Sequence, residues 1–545
     1  MSLTDTLLNI RSLYNVNKDS GDDYLSNNWF IITTVVISTL NHPEDIQLVY
    51  TLMDQDVDAM KGLLQEEKFN LKVRLVAKLR DALLKGFIAG GFPKTINGLQ
   101  QLYNATPEAI RQKLSLTPMR QEETWHQVKD QRQRGQALFD NIYDRHTIRV
   151  MKTMDTIYPD LAQTAHYHIY GSVLSDTTVL SARETSLIVV AGCFAQNLDS
   201  QLRGHSYGAI HNGASQQDLQ RVYETVIALC QYYGPAPIPS TSPKPITIKN
   251  KLFRFMAHRK RCMSRLIIPI STSLTKVHFF PTGRHSDSLF PKDASDTLSS
   301  DSYKRGTLKE TRSIFRVDKA TSKNYLENHW IYVAPLVVSG LNHANDISQI
   351  YKWISEDIDA MDDLNADEKL SLKAKVVAKQ RDALLKGIIP YGYPKTIMGT
   401  RVLYDATPQE IKDLLPKDPI RKDNDWESVK AHRKRGHAFF DLLYDDDTDK
   451  MRANLSEIYP DLGQSIDHSV YSSLLSEVSV TSAKETSIVL VAGCLSLQLT
   501  PLLIPHIGGA KVNGTTDQEL REIYDFVRAA CALYGVSAPV FPEQV

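Results

Sequence analysis

Residues 181–234 read SARETSLIVVAGCFAQNLDSQLRGHSYGAIHNGASQQDLQRVYETVIALCQYYG, and residues 482–535 read SAKETSIVLVAGCLSLQLTPLLIPHIGGAKVNGTTDQELREIYDFVRAACALYG. In the first stretch Leu187, Val190, Ala191 and Phe194 fall at i, i+3, i+4 and i+7, and in the second Ile488, Val491, Ala492 and Leu495 do the same. That spacing predicts a helix with one apolar stripe. Ser181-x-x-Glu184 and Ser482-x-x-Glu485 precede it as capping boxes, in which serine and glutamate each satisfy a backbone N–H left unpaired at a helix start. An Asn-Gly followed by Ser215-x-x-Asp218, or by Thr516-x-x-Glu519, predicts that one helix ends and another begins. Thr106-Pro107 and Thr407-Pro408 predict two more starts, with threonine as the cap and proline at the first helical position. Alternating strand patterns bounded by hairpin turns are missing, so the expected fold is all-α.

The two stretches are the ends of a longer repeat. Trp29 and Trp330, Gly135 and Gly436, Glu184 and Glu485, and Gly213 and Gly514 are all separated by 301 positions. The offset runs without a gap from Arg11/Arg312 to Gly234/Gly535, giving copies at 11–234 and 312–535 of 224 positions each. Within them RDALLKGFIAGGFPKTI, from Arg80, faces RDALLKGIIPYGYPKTI, from Arg381. Solenoid units repeat every 20–50 residues or so, so a period this long marks duplication of a whole domain. Two like domains are expected to pack as an intrachain pseudo-dimer. Residues 235–311 have no counterpart; they open PAPIPSTSPKP and carry a basic cluster at Arg254, Arg259, Lys260, Arg261 and Arg265. This reads as a solvated linker without fixed structure, the other readings being a nuclear or acidic-partner signal and an unspliced or misannotated insertion.

Composition narrows the function. Lysine plus arginine and aspartate plus glutamate both number 63, so no net field recruits nucleic acid or an anionic membrane. Hydrophobic residues at 42% and charged residues at 23% match an ordinary globular chain. The apolar run Trp29–Leu40 is too short for the ~20 residues of a membrane-spanning helix and reads as a core helix. Five cysteines, at 193, 230, 262, 494 and 531, with no Cys-x-x-Cys argue for a reducing interior. The N-terminus lacks a secretory signal and the chain ends Glu-Gln-Val, which is no peroxisomal address, so a cytoplasmic location is expected, with an organelle as the alternative.

His205, Gly208, Ala209 and Asn212 share one helical face, as do His506, Gly509, Ala510 and Asn513, so an imidazole sits among small residues that let a helix or ligand approach. The run Arg/Lys-Glu, an apolar helix, then His-x-x-x-Ala-x-x-Asn-Gly, together with Arg134-Gly135-x-x-x-Phe139, Arg435-Gly436-x-x-x-Phe440 and the Tyr-Pro-Asp segments at Tyr158 and Tyr459, resembles the carboxymuconolactone decarboxylase family. The match is strongest over 128–235 and 429–536. The resemblance implies the all-α alkyl hydroperoxidase D-type fold and a lyase acting without metal or organic cofactor on a small carboxylated lactone. On that reading His205, Glu184, His506 and Glu485 are the catalytic acid/base candidates, and Arg134 and Arg435 the anchors for a substrate carboxylate. The expected partners are a small-molecule substrate and further copies of the chain.

Rival readings attach to the same residues. Capping accounts for Glu184 and Glu485 without chemistry, helix packing could explain the two histidines, and an exposed or salt-bridged role suits the two arginines. A non-catalytic binding or scaffold protein that keeps the fold is therefore the alternative. Peroxidase activity of the hydroperoxidase D type is disfavoured, because its paired cysteines are replaced by Gln196 and Asp199, and by Leu497 and Thr500. His42 and His343 read as local caps. His166 and His168 face Asp467 and Ser469 in the second copy, which leaves too few ligands for a metal.

Overall fold

A computed structural model describes residues 2–16, 20–234, 308–317 and 320–541. Among these the chain is helical throughout, with no strand, as the cap and periodicity patterns require. No described helix is long and apolar enough to cross a membrane. Most of the linker read at 235–311, with its basic cluster, lies outside the described residues. Its last residues do not: Leu308 is buried in the core of the second copy, as its counterpart Leu7 is in the first.

Each copy is a shell around two helices, one buried along its whole length and one buried beyond its first two residues. In the first copy these are Trp29–Thr39 and Ala182–Ala195, and in the second Trp330–Gly340 and Ala483–Ser496. The single apolar stripe expected for 182–195 is corrected, since every residue from Glu184 to Ala195 is buried, and a helix apolar on all sides belongs at the centre of the core. Its capping box forms as expected: the Ser181 hydroxyl accepts from the Glu184 N–H, and the Glu184 carboxylate accepts from the Ser181 N–H at 2.9 Å. The boxes at Ser482, Ser215 and Thr516 form too. The Thr-Pro starts do not follow the expected pattern. Thr106 and Thr407 end the preceding helices, each hydroxyl donating 2.7 Å to the carbonyl four residues earlier, and proline itself takes the N-cap position.

The GFPKTI and GYPKTI segments lie where the copies meet. Gly91 and Gly392 both have φ +83°, and a Cβ on Gly392 would stand 2.5 Å from the Ile88 carbonyl oxygen of the other copy. A Cβ on Gly91 would strike the Pro390 carbonyl in the same way, so two backbones touch where only glycine fits. The next residues start helices, with proline in the first turn. Lys94 and Lys395 turn inward and donate 2.7 Å bonds to the carbonyls of Thr39 and Gly340, the last residues of the buried Trp29–Thr39 and Trp330–Gly340 helices. An ammonium at a helix C-terminus satisfies an orphan carbonyl and meets the negative end of the dipole.

A second meeting point is a buried ionic network, present twice in reciprocal form. Arg120 pairs with Asp81 of its own copy and, at 3.1 Å, with Asp461 of the other, whose carboxylate also accepts the Arg120 N–H at 3.0 Å. Arg421 pairs with Asp382 at 2.5 Å and with Asp160 across the junction at 3.3 Å. Lys85 and Lys386 complete the two sets at 3.4 and 3.2 Å from Asp81 and Asp382. Burial pushes the Asp81 and Asp382 carboxyls up, but the adjoining arginine and lysine charges more than reverse this and hold both below the ordinary carboxylate value.

Candidate functional site

The helix Asp199–His211 carries His205 towards a cavity of about 60 Å³. Its walls are Ile88, Phe139, Tyr143, Val150, Met154, Ile169, Tyr170 and Leu174 from the first copy and Tyr393, Pro394 and Ile397 from the second, with Ser200 and Gln201 beside the histidine. Local sequence sets several of these walls. Gly135 lets its helix, Trp125–Tyr143, approach the backbone of Gly171, where a Cβ would come within 2.6 Å. That close approach delivers Phe139 edge-on to Tyr170, with ring centroids 4.9 Å apart. Tyr170 lies in a π-helical segment, Thr164–Leu174, a wide-turn geometry concentrated at functional sites. The Tyr143 and Tyr170 hydroxyls lie 3.1 Å apart.

The cavity is poor in charge. His205 is half-buried, with its ring edge-on to Tyr143 at 6.4 Å, and burial pushes its pKa down to about 4. The ring is therefore neutral at physiological pH. Among the described residues, no carboxylate, arginine or lysine lines the walls. His506 sits at the matching position in the helix Thr500–Val512, and burial likewise pushes it down to about 4.

The other expected site residues are elsewhere. Glu184 and Glu485 do not approach the histidine cavity: each closes its capping box and pairs with a lysine of the long helix beneath, Lys78 or Lys379, at 2.5 Å. Arg134 is exposed, while Arg435 is paired with Glu477 at 3.0 Å. The predicted grouping of imidazole, carboxylate and guanidinium is thus not assembled. Cys193 and Cys494 are wholly buried, and burial pushes both thiols up to about 12, far from the thiolate that redox chemistry needs. His42 and His343 make no side-chain cap; their rings stack on Tyr233 and Tyr534 at 3.9 Å.

The structure also gathers residues that the sequence reading did not single out. Arg132 pairs across the junction with Asp423 at 2.9 Å, and Arg433 lies 3.6 Å from Glu122. His168 stands 3.5 Å from Asp423 and His468 2.7 Å from Glu122. The histidines at 168 and 468 are thus contacts between copies. The signal for the junction was present in the sequence: RDALLK and Tyr-Pro-Asp are identical in both copies, and their aspartates are the ones that hold Arg120 and Arg421.

No protein-family model and no solved structure matches the chain. Two curated proteins do. "Peroxisomal protein 2" of Saccharomyces cerevisiae is 28% identical over 255 residues, covering 38% of this chain and 90% of that protein. "Peroxisomal protein 2" of Schizosaccharomyces pombe is 28% identical over 205 residues, covering 38% of this chain and 86% of that protein. The share of this chain in each match is close to one repeat copy, 224 of 545 residues. These names overturn the cytoplasmic expectation. They also refer to no decarboxylase or peroxidase, so the carboxymuconolactone decarboxylase resemblance and the lyase reading are corrected. The residues that suggested them have packing roles: Gly208 lies against Ile142, Ala209 is fully buried, and the Asn212 amide donates to the Ser186 hydroxyl at 2.8 Å.

Proposed function

We propose that the chain is a non-catalytic binding protein of the peroxisome, built as an internal pseudo-dimer, which takes a small, uncharged and largely apolar ligand in the cavity around His205. One observation carries this reading. The candidate carboxylates Glu184 and Glu485 and the thiols Cys193 and Cys494 are committed to structure, while the cavity offers apolar walls, tyrosine hydroxyls and one neutral imidazole. Glu184 is engaged by Ser181 and Lys78, and Cys193 is a buried neutral thiol. A site of this composition binds by burying apolar area and fixes orientation with one or two hydrogen bonds. His205 is its imidazole contact, His506 holds the matching helix position in the second copy, and Glu184, Glu485 and Arg435 serve the scaffold. The reciprocal Arg120–Asp461 and Arg421–Asp160 pairs support the pseudo-dimer. The two similar proteins from yeasts support the location.

The test is a thermal-shift screen of uncharged apolar metabolites against the full chain, repeated with His205→Ala/His506→Ala. Stabilisation by a hit should shrink in the variant. Hits that stabilise both proteins equally would remove the histidines from the site, and a screen without hits would count against a binding role. A fluorescent fusion that fails to co-localise with a peroxisomal marker would refute the location.

A further inference from the structure

A second pocket, of about 220 Å³, opens between the copies on another face of the molecule. It is lined by Val76, Leu102, Leu114, Leu116 and Ile458 on its apolar side and by Arg80 and Arg111 on its charged side, with Tyr103, Thr106, Ser115, Ser456 and Glu457 completing the wall. Arg80 is the unusual member. It is the first residue of the RDALLK motif, is only 7% exposed, and makes no hydrogen bond or ion pair with any described residue. Its guanidinium lies 4.4 Å over the ring of Tyr459 from the second copy. Asp81 and Asp461 hold Arg120, while Glu457 lines the exposed rim of the same pocket and accepts from the Tyr103 hydroxyl, so its one negative charge stands against the two arginines and the wall stays net positive.

A buried cation without a hydrogen-bonded counter-charge is costly. Burial accordingly pushes Arg80 below the ordinary arginine value. The planar fork of an arginine fits a carboxylate with two parallel bonds, and Arg111, held 4.4 Å over the Tyr103 ring, adds a second positive charge to the same wall. Leu102 and Leu114 add apolar wall to the same pocket, and Leu116, 84% exposed, adds apolar surface at its rim. The volume is below the range of about 300–1,000 Å³ usual for drug-sized ligands, so the occupant is small. We propose that this pocket is a binding site for a small organic carboxylate, its head on Arg80 and Arg111 and its apolar body along Leu102, Leu114 and Leu116.

The site belongs to one copy. Arg381, the counterpart of Arg80, has its Nη1 3.5 Å from the Ile157 carbonyl and lies 4.6 Å over Tyr158. The cavity facing that side is lined by Arg149, Lys152, Thr153, Thr156, Ile157, Arg401 and Tyr404, and Arg381 is not among them.

Calorimetric titration of the full chain tests the proposal with three probes: octanoate, octan-1-ol and inorganic phosphate. Octanoate should bind at one site per chain, and the other two probes, read by displacement of bound octanoate, should occupy that site at least tenfold more weakly. Arg80→Gln should weaken octanoate at least tenfold. Leu116→Asp changes only an exposed rim residue, so it leaves folding intact while placing a repelling charge at the mouth, and it too should weaken octanoate. Octan-1-ol displacing bound octanoate as readily as octanoate itself would show that the guanidinium is not read, and phosphate doing so would show a bare anion site; either overturns the proposal. Undiminished octanoate binding in Leu116→Asp, or no octanoate binding by the wild-type chain, overturns it as well. Because His205 lies in a different cavity, His205→Ala/His506→Ala should leave octanoate binding unchanged, which separates this proposal from the function above.

Discussion

Removing Arg120 probes the junction between the copies most directly. Arg120→Met keeps the length of the side chain but withdraws the charge that lies between Asp81 and Asp461, both fully buried. It also strips bonds to the Val173 carbonyl and the Tyr459 hydroxyl. Two carboxylates remain. Asp81 still has Lys85 at 3.4 Å, and Asp461 still accepts the backbone N–H groups of Met119 and residue 120. Breaking a buried ion pair by removing one partner costs about 3–5 kcal/mol, and these surviving contacts place the expected loss near the lower end. Unfolding entropy of about 2.1 cal/mol/K per residue, over roughly 450 residues, amounts to ~0.9 kcal/mol/K. The melting temperature should therefore fall by about 3–4 °C, measured by circular dichroism at pH 7. Arg421→Met should produce a drop of similar size, because its partners Asp382 and Asp160 mirror those of Arg120. Pairing Arg120→Met with Asp461→Asn, while Asp81 keeps Lys85, should recover part of the loss, since the carboxylate left without a cation is then gone. A single variant that melts within about 1 °C of the wild type, or a double variant worse than the single one, would refute the reasoning.

Three further outcomes are expected. Gly91→Ala adds a Cβ against the Pro390 carbonyl at a positive φ, so it should destabilise the chain far more than Gly204→Ala, where a Cβ meets nothing within 4 Å; thermal melts of the two variants compare them. Burial, with Lys94 adding to it, lowers Lys395 to about 7, so between pH 7 and its ordinary value of 10.5 the unfolded chain binds more protons than the native one and stability should rise with pH. Lys395→Met should flatten that rise in urea titrations run from pH 7 to 10. His205, lowered to about 4 by burial, should stay neutral in ring NMR titrations at pH 5.5 and draw stability down as pH falls from 6.5 to 4; a ring titrating near 6.5 would contradict the site described here.

The helices were legible because their signals are local. Ser181 and Glu184 need only each other to mark a start, and the 301-residue offset needs only comparison of the chain with itself. The packing around Ala182–Ala195 was less legible, since an i, i+3, i+4, i+7 stripe is also found within a helix that is apolar all round. The junction was not legible. Arg120 and Asp461 are 341 positions apart, and nothing in TPMRQEE states that its arginine will meet an aspartate of the other copy. Motif reading erred at the histidine for a related reason. The pattern His-x-x-x-Ala-x-x-Asn-Gly records a helix packed closely through small residues, and close packing is shared by proteins with different chemistry. Part of what surrounds that histidine, Tyr393, Pro394 and Ile397, comes from the far half of the chain.

Tyr103 meets Glu457, whereas Tyr404, its twin, has Thr156 at the corresponding place. Two identical chains joined by symmetry cannot make that distinction, because any change in one would appear in the other. Covalent fusion releases the halves from this constraint: one can drift toward a new task while its sister preserves the shared framework, so a lost or gained side chain is tested once per molecule instead of twice.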